Sequence, residues 1–137
     1  MSFAFREAAR ADVPAILAFL ASAGETPGVA DAEDRLLGVV DAEHAWLLLA
    51  LDGDQIVGTI IAGWDGWRGS LYRLAVDPAR RKEGIARALV EHAEAVLHDA
   101  GAPRVSALAI SPDARAFWRR IGYEHDARVE RYIKNLG

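Results

Sequence analysis

Apolar and polar positions follow two periods along this chain and divide it into predicted strands and helices. Residues 3–8 (FAFREA) alternate and predict a short strand. Two apolar runs, 44–51 and 55–62, are separated by Asp-Gly-Asp, which is typical of a β-hairpin. A third apolar run, 71–76, follows the turn-rich segment 63–69. The three runs together predict an antiparallel meander.

Helical spacing predicts four helices around these strands. The first begins at Asp12 as a candidate N-cap, and a weaker second helix runs through 36–40. The clearest helix covers 83–100 and ends at Gly101, which suits a C-terminal cap. The fourth begins at Ser-Pro-Asp, 111–113, the preferred order of N-cap, first helical residue and first-turn acid.

The order of the elements predicts the α/β (α+β) class: a mixed, mostly antiparallel, twisted sheet with helices on both faces. Residues 104–110 predict a strand parallel to the one before the long helix, since such a helix crosses between parallel strands. A final strand pair is expected at 123–126 and 129–135. No repeat or linker divides the chain, so 1–137 is predicted to be a single domain.

The composition narrows the class of protein. The 52% hydrophobic content excludes a disordered chain, and the net charge of −4 gives no basic field for nucleic acid or anionic lipid. The absence of cysteine excludes disulfides, a thiolate nucleophile and sulfur-ligated metals, and the four histidines lack ligand spacing, so no metal is expected. Without an apolar run of signal or membrane length, a cytoplasmic protein with no membrane partner is expected.

The junction between the 71–76 strand and the long helix carries the clearest candidate chemistry. Three basic residues at 80–82 precede Gly84 and the helix start. Exposed amides and the positive end of the helix dipole favour an anion there, and glycine allows a phosphate to approach the backbone. Neither a P-loop nor a dinucleotide fingerprint is present. From the residues alone, a phosphate site and an ordinary solvated helix start remain equally open.

Two motifs in this region and downstream occur in a familiar order. Residues 81–86 (RKEGIA) are similar to the pattern Gln/Arg-x-x-Gly-x-Gly/Ala, and Ala114, Phe117, Gly122 and Tyr123 fit Ala-x-x-Phe/Leu-Tyr-x-x-x-Gly-Phe/Tyr. They resemble the motifs of the GNAT superfamily of acyl-coenzyme A dependent N-acetyltransferases. The turn GWDGWRG is similar to that of a subgroup of small stand-alone bacterial members. The resemblance covers essentially the whole chain and implies the GNAT fold, with splayed central parallel strands.

The resemblance implies acetyl-coenzyme A as cosubstrate and assigns residues to it. Leu74, Ala75 and Val76 would hydrogen-bond the pantetheine arm like an added strand, and Trp118 would pack against the coenzyme. The pyrophosphate would be bound largely through the main chain of Arg81, Lys82, Glu83, Gly84, Ile85, Ala86 and Arg87. Since the chain has no cysteine, transfer would be direct, in a ternary complex with the amine.

Two family positions that handle protons are altered. Trp118 replaces the tyrosine that protonates the leaving thiolate, and Ser70 replaces a glutamate base. We take Tyr72 as the replacement acid and Asp65 as the residue that holds the amine or positions a water. The structural alternatives are a cross-strand aromatic for Tyr72 and ordinary hairpin chemistry for Asp65.

Four further residues are candidates for binding the acceptor. Glu25 lies in the loop that covers the acceptor in the family, and Trp64 and Trp67 flank Asp65 as an aromatic wall. Arg68 in the same turn would receive a substrate carboxylate. A solvated loop charge, hairpin packing and a surface ion pair are the respective structural alternatives.

The sequence therefore predicts an N-acetyltransferase acting on an amine of a small molecule or peptide. One alternative is a catalytically silent coenzyme-binding sensor or interaction module, which Ser70 and Trp118 favour. A second keeps the coenzyme site but uses a longer acyl chain or a protein N-terminus. An apolar edge strand at 129–133 is compatible with a homodimer.

Overall fold

The computed structural model describes residues 3–23, 32–109 and 111–137. In these residues one sheet contains the strands β1 (Ala4–Glu7), β2 (Ala45–Asp52), β3 (Gln55–Trp64), β4 (Gly69–Val76) and β5 (Val105–Ala107). The strands lie in the order β1-β2-β3-β4-β5. Only the β4–β5 pair of this described sheet is parallel. The predicted meander is confirmed.

The predicted helices are also confirmed. They are α1 (Val13–Ser22), α2 (Glu33–Asp41), α3 (Ile85–Ala100) and α4 (Pro112–Arg120). Helix α3 connects the two parallel strands, as expected. It ends at Gly101, whose φ of 108° is the left-handed conformation that favours glycine at this position. The Ser111 hydroxyl accepts a hydrogen bond from the Ala114 amide at 3.1 Å, so Ser111 is the N-cap of α4.

Alternating side chains of β2 divide the core between the two faces of the sheet. Leu47, Leu49 and Leu51 pack with α1 and α2 on one face, which we call the α1/α2 face. Leu48 and Ala50 pack with α3 on the other, the α3 face. Because successive strand residues point to opposite faces, this apolar run fills both cores. The prediction of helices on both faces of a mixed sheet is confirmed.

Helix α3 lies close against the centre of the sheet. A Cβ atom added to Gly58 of β3 would be 2.8 Å from Leu89 Cδ1 and 3.0 Å from Ile85 Cγ2. Both partners are in the first turns of α3 and are buried. The absence of a side chain at Gly58 therefore sets the depth at which the beginning of α3 rests on β3.

The C-terminal segment departs from the sequence analysis. The predicted strands at 123–126 and 129–135 are wrong, because residues 124–137 form no strand and are exposed. Asp126 accepts a hydrogen bond from the Arg128 amide at 3.1 Å, which closes a turn. Val129, Tyr132 and Ile133 also depart from the period-two spacing of a strand. The edge strand considered for a homodimer is therefore not formed.

Two smaller differences concern β5 and the start of α1. Strand β5 has 3 residues instead of the expected 104–110 and is the last strand of the described sheet, so the parallel pair is not central. Asp12 precedes α1 but makes no side-chain cap. Its carboxylate instead accepts hydrogen bonds from the Ala9 amide and the Arg6 guanidinium, both at 2.7 Å.

Candidate functional site

Strand β4 contains a bulge beside its neighbour β3. The ladder shifts between Thr59 and Ile61 of β3, where β4 carries an extra residue. Arg73 lies in this bulge with a φ of +55°, which is unusual for a residue other than glycine. The buried Thr59 hydroxyl donates a hydrogen bond to the Arg73 carbonyl at 3.1 Å. A side chain from β3 thus supports the strained backbone of β4.

The bulge changes which face the later residues of β4 occupy. Leu71 and Leu74 both pack on the α3 face, although they are three positions apart. Ala75 packs on the α1/α2 face. Strict alternation would have placed Leu71 and Ala75 on the same face. The bulge therefore reorients the main chain in the middle of β4.

Just before the bulge, β4 separates from β5. Residues 69–71 pair with 105–107, and the pairing stops there, whereas β4 continues to Val76. No strand of the described chain covers the outer edge of β4 over residues 72–76, which we call the open half of β4. Main-chain groups on such an edge can hydrogen-bond an extended ligand. Leu74, Ala75 and Val76, the residues expected to hold pantetheine, lie in this open half.

The segment after β4 is attached to the β2–β3 hairpin. The Asp77 amide donates a hydrogen bond to the Val57 carbonyl at 2.9 Å. Arg80 and Asp52 form an ion pair at 2.5 Å, and the hydrogen bond to Asp52 raises the pKa of the Arg80 guanidinium. These contacts fix the chain just before the residues expected to bind the pyrophosphate.

Residues 81–84, which we call the coenzyme loop, are exposed and lead directly into α3. Lys82 and Gly84 have φ values of +73° and +80°. Gly84 is the N-cap of α3 and has no side chain with which to cap it. A Cβ atom added to Gly84 would meet no atom within 4 Å, so the space in front of the helix start is open. The loop fits an anion that approaches uncapped amides at a positive helix end.

The remaining predicted pyrophosphate residues differ in what they offer. Ile85 is 2% exposed as a whole residue, so its side chain is packed in the core and offers no contact to a ligand. Ala86 is partly buried. Arg87 lies on the exposed side of α3 and pairs with Glu91 at 3.2 Å.

Trp118 belongs to an aromatic cluster that joins α4 to α3. Its ring makes edge contacts with Phe117 and with Tyr123, the latter at a centroid distance of 4.7 Å. The Tyr123 hydroxyl donates a hydrogen bond to the Glu94 carboxylate at 2.6 Å. Burial, together with Glu94, raises the pKa of Tyr123. Trp118 is thus held by packing on the α3 face.

Tyr72 stands at the start of the open half of β4. It pairs with Ile61 and therefore lies on the α1/α2 face, 43% exposed, with its hydroxyl 3.6 Å from the Cβ position of Gly63. Partial burial raises the pKa of its phenol, which is therefore protonated at neutral pH. The side chain combines the cross-strand packing of the structural alternative with the ability to donate a proton.

The turn between β3 and β4 is organised by Asp65. Its Oδ1 accepts hydrogen bonds from the Arg68 amide at 2.6 Å and the Trp67 amide at 2.7 Å, and these bonds lower its pKa. Trp67 is 81% exposed, whereas Trp64 packs on the α3 face. The structure does not bring these aromatic rings together around Asp65. The turn adjoins the paired end of β4, and Gly63, just before it, lies beside the Tyr72 hydroxyl.

Two further residues complete the outcome for the predicted site. Glu25 lies outside the described residues. Ser70 is partly buried and pairs with Ser106 in the parallel ladder and with Gly63 across β3.

Sequence reasoning missed Thr59, Arg73 and the partner of Arg80. Thr59 gave a weak signal, since it is the polar residue in an otherwise apolar run. Arg73 and the Asp52–Arg80 pair gave none, because a bulge and a contact between residues 28 positions apart leave no local pattern.

The described residues contain neither a metal-binding cluster nor a membrane-spanning helix. No three or more histidine, aspartate or glutamate side chains there are grouped so as to hold a metal ion. No helix there is long and apolar enough to cross a membrane.

The whole of this geometry lies within the part of the chain that matches a known family. Residues 10–123 match the acetyltransferase (GNAT) family. The chain belongs to the GNAT family. The bulged, partly open β4 and the coenzyme loop are therefore features of a GNAT protein.

Solved structures share the fold of this GNAT chain at low sequence identity. A predicted acetyltransferase with acetyl-CoA from Clostridium acetobutylicum has a TM-score of 0.81 and 14% identity, with 96% of each chain covered. AAC(6')-Iy in complex with the bisubstrate analog CoA-S-monomethyl-acetylneamine has a TM-score of 0.80 and 17% identity, covering 99% of this chain and 100% of that one. Glucosamine-6-phosphate N-acetyltransferase from Arabidopsis thaliana has a TM-score of 0.76 and 15% identity, covering 98% and 100%.

Proposed function

We propose that this GNAT protein transfers the acetyl group of acetyl-coenzyme A to an amine of a small molecule or peptide, directly and in a ternary complex. The observation that carries the proposal is the continuity between the open half of β4 and the coenzyme loop. An extended thioester arm and a diphosphate are joined in the coenzyme, and here an open strand edge leads within a few residues to an uncapped helix start.

The main chain supplies the binding groups in this proposal. Leu74, Ala75 and Val76 hydrogen-bond the pantetheine arm along the open half of β4. The coenzyme loop and the first turn of α3 bind the pyrophosphate, and Trp118 packs beside the coenzyme. The main chain that the Arg73 bulge reorients lies near the thioester, where amide groups polarise its carbonyl.

The chemical step needs a neutral amine and a proton for the departing thiolate. The amine nitrogen attacks the thioester carbon, the carbon–sulfur bond breaks, and an amide forms. Tyr72 gives its phenolic proton to the thiolate, and the proton lost by the amine passes to water. Asp65, whose carboxylate is ionised at neutral pH, orients the amine or that water.

Relatives of this fold support an amine acceptor. The Clostridium structure contains acetyl-CoA, and the AAC(6')-Iy structure contains a bisubstrate analog of CoA and acetylneamine. The Arabidopsis protein is a glucosamine-6-phosphate N-acetyltransferase. We therefore include amino sugars, aminoglycosides, polyamines and peptide N-termini among the amines to be tested.

The first experiment is thermal unfolding with and without acetyl-coenzyme A, followed by acetyl transfer to the amine panel. A ligand that binds only the folded state raises the melting temperature by mass action, and a hundredfold excess over Kd contributes about 2.7 kcal/mol. We expect a rise with acetyl-coenzyme A and turnover with at least one amine. Without a rise at saturating concentration, the coenzyme site does not exist and the proposal fails.

A silent coenzyme-binding module is the second candidate. It is favoured by the fact that Ser70 is held in the ladder and Trp118 in an aromatic cluster, so neither supplies a base or an acid. Binding of acetyl-coenzyme A without turnover of any amine would favour this module. In that case Tyr72→Phe would change nothing, because there would be no activity to lose. Turnover of any amine would exclude it.

A further inference from the structure

The β2–β3 hairpin holds the coenzyme loop at both of its ends. Before the loop, Arg80 donates a hydrogen bond to the Asp52 carboxylate, and these side chains are 21% and 34% exposed. After the loop, the start of α3 rests on Gly58, close to Leu89. Asp52 and Gly58 are six positions apart on the same hairpin. The exposed loop therefore connects two residues whose positions the hairpin fixes, Arg80 before it and Ile85 after it.

Arg80 is also held from a second side. Its guanidinium lies over the Phe3 ring, 5.8 Å from the centroid, which is the geometry of a cation–π contact. Its main-chain amide donates a hydrogen bond to the Asp77 carbonyl at 2.8 Å. These contacts hold Arg80 in place, immediately before the first residue of the coenzyme loop.

We propose that Asp52, acting through Arg80, is a positioning residue that preorganises the coenzyme loop for the pyrophosphate of acetyl-coenzyme A. This inference rests on the proposed function. Asp52 is the last residue of β2 and lies outside the loop, so it acts on the ligand only through the residue that it holds.

Preorganisation matters here because the loop backbone is restricted. Lys82 and Gly84 both have positive φ, and ordering a free loop into that conformation on binding would cost conformational entropy. A loop that is already anchored at the preceding residue, Arg80, loses less conformational freedom when the ligand binds. Removal of the Asp52 carboxylate therefore weakens binding.

The charge of Asp52 alone would have the opposite effect. A carboxylate near an anion site repels a diphosphate, so its removal would strengthen binding if only charge mattered. Positioning predicts weaker binding, and electrostatic repulsion predicts tighter binding. The sign of the change in affinity therefore separates the two roles.

The test compares Asp52→Asn with Asp54→Asn by calorimetric titration with acetyl-coenzyme A. Asp54 is exposed in the turn that follows β2, two residues from Asp52, so the control removes an equal charge without breaking the pair. We expect Asp52→Asn to raise Kd and KM about fivefold, the upper range for a partly exposed ion pair, with kcat unchanged. Asp54→Asn should leave Kd unchanged or slightly lower.

A second readout is independent of the coenzyme. Hydrogen exchange of two hydrogen-bonded amides that flank the loop should be faster in Asp52→Asn and unchanged in Asp54→Asn in the ligand-free protein. They are the Arg80 amide, which donates to the Asp77 carbonyl, and the Ala88 amide, which donates to the Gly84 carbonyl. Asp41→Asn, which breaks the exposed pair with Arg10, serves as the control for ion-pair loss elsewhere. Its exchange at these two amides and its Kd should match the wild type.

The outcomes separate this inference from the proposed function. If the wild-type chain binds acetyl-coenzyme A but Asp52→Asn binds it equally or more tightly, the positioning role is wrong and the function stands. If exchange of the two flanking amides is the same in both variants, the positioning role is wrong as well. If the wild-type chain fails to bind acetyl-coenzyme A, the proposed function falls, and this inference with it.

Discussion

The Thr59 hydroxyl donates a hydrogen bond to the main-chain carbonyl of Arg73, 3.1 Å away on the neighbouring strand. Thr59 is 1% exposed and Arg73 has a positive φ. A bulge leaves backbone groups outside the ladder, and a buried carbonyl without a partner is costly. The hydroxyl of one buried side chain thus hydrogen-bonds a main-chain group of the bulge.

Thr59→Val should destabilise the protein by about 1 kcal/mol, because it removes a buried hydrogen bond at nearly constant volume. It should also lower turnover more than coenzyme affinity, since the bulge is nearest to the thioester in the proposed function. Chemical denaturation and steady-state kinetics measure the two effects. Thr59→Ser retains the hydroxyl and should keep most of the turnover. Equal turnover in the valine and serine variants would show that the Thr59 hydroxyl does not hold the Arg73 bulge in its active geometry.

The elements of the fold were largely predictable because each depends on local pattern. The leucines of β2 and the stripe of α3 define strand and helix by period alone, and Gly101 and Ser111 mark helix ends through local hydrogen bonds. The Arg73 bulge was not predictable, since its cause lies in the ladder with β3. The C-terminal strands failed for a related reason: their residues have strand propensity, and no neighbouring strand pairs with them.

Gly58→Val should destabilise the protein by about 2 kcal/mol, since the new side chain would overlap the first turns of α3. Denaturant unfolding gives the change in free energy. The control is Gly38→Ala in α2, where an added Cβ meets no atom within 4 Å. That variant should stabilise the protein by about 1 kcal/mol through helix propensity. Similar changes in both variants would mean that α3 does not depend on Gly58 for its approach.

Gly84→Val should abolish binding of acetyl-coenzyme A while the fold is retained. Space for the side chain is open, so the fold suffers only the strain of a φ of +80°, whereas a branched side chain blocks a phosphate in front of the helix. Calorimetry measures the loss. Gly101→Val at the other end of α3 has a φ of +108° and equally open surroundings, so it controls for strain. If the two variants bound acetyl-coenzyme A with comparable affinity, the coenzyme loop would not be part of the binding site.

The candidate site was predictable only where motifs carry it. The coenzyme loop was recognisable as a short run of residues, and its role in binding the coenzyme stays a prediction. Apart from Glu25, the acceptor residues were chosen from one turn, and the structure divides them, because Trp64 is the last residue of β3 and packs on the α3 face. Side chains close in sequence can therefore end on different faces of the sheet.

Asp65→Asn and Asp65→Ala separate chemistry from turn formation. An asparagine Oδ1 can still accept the bonds from the Arg68 and Trp67 amides, so the turn should survive, whereas alanine loses them. If the negative charge holds the amine, both variants lose turnover, and alanine lowers the melting temperature more than asparagine does. Thermal melts and kcat/KM measured side by side provide the comparison. Full turnover by the asparagine variant would show that Asp65 only stabilises the turn and does not hold the amine.

The same carboxylate predicts a pH effect on stability. Hydrogen bonding lowers the folded-state pKa of Asp65 below its ordinary value, so its contribution is complete above the unfolded pKa, near 4. The contribution is lost as the pH falls through the lower, folded pKa. Between neutral pH and about 3, the wild type should therefore lose more stability than Asp65→Asn. Parallel denaturation curves across this range would contradict the shift.

Tyr72→Phe should lower kcat by about a hundredfold and leave the Kd of acetyl-coenzyme A unchanged, because a phenyl ring keeps the packing but has no proton to give. Burial raises the pKa of Tyr72 above its ordinary value of about 10, and the neutral phenol is the acid. Activity that depends on it is retained below that pKa, so any fall due to Tyr72 comes above about pH 10. The free energy of unfolding depends on pH in the same direction. The contribution of the neutral phenol is complete below the pKa of the unfolded state and is lost as the pH rises through the pKa of the folded state.

The matched control for Tyr72 is Tyr132→Phe. Tyr132 is 87% exposed in the C-terminal segment, so its loss removes a phenol without touching the sheet. Its kcat, Kd and pH profile should equal those of the wild type. If Tyr72→Phe also kept the wild-type kcat, water rather than Tyr72 would protonate the thiolate, and the tyrosine would remain only as a cross-strand partner of Ile61. If instead kcat fell while Kd rose equally, the ring would be acting through the position of β4, because loss of an acid alone leaves coenzyme binding intact.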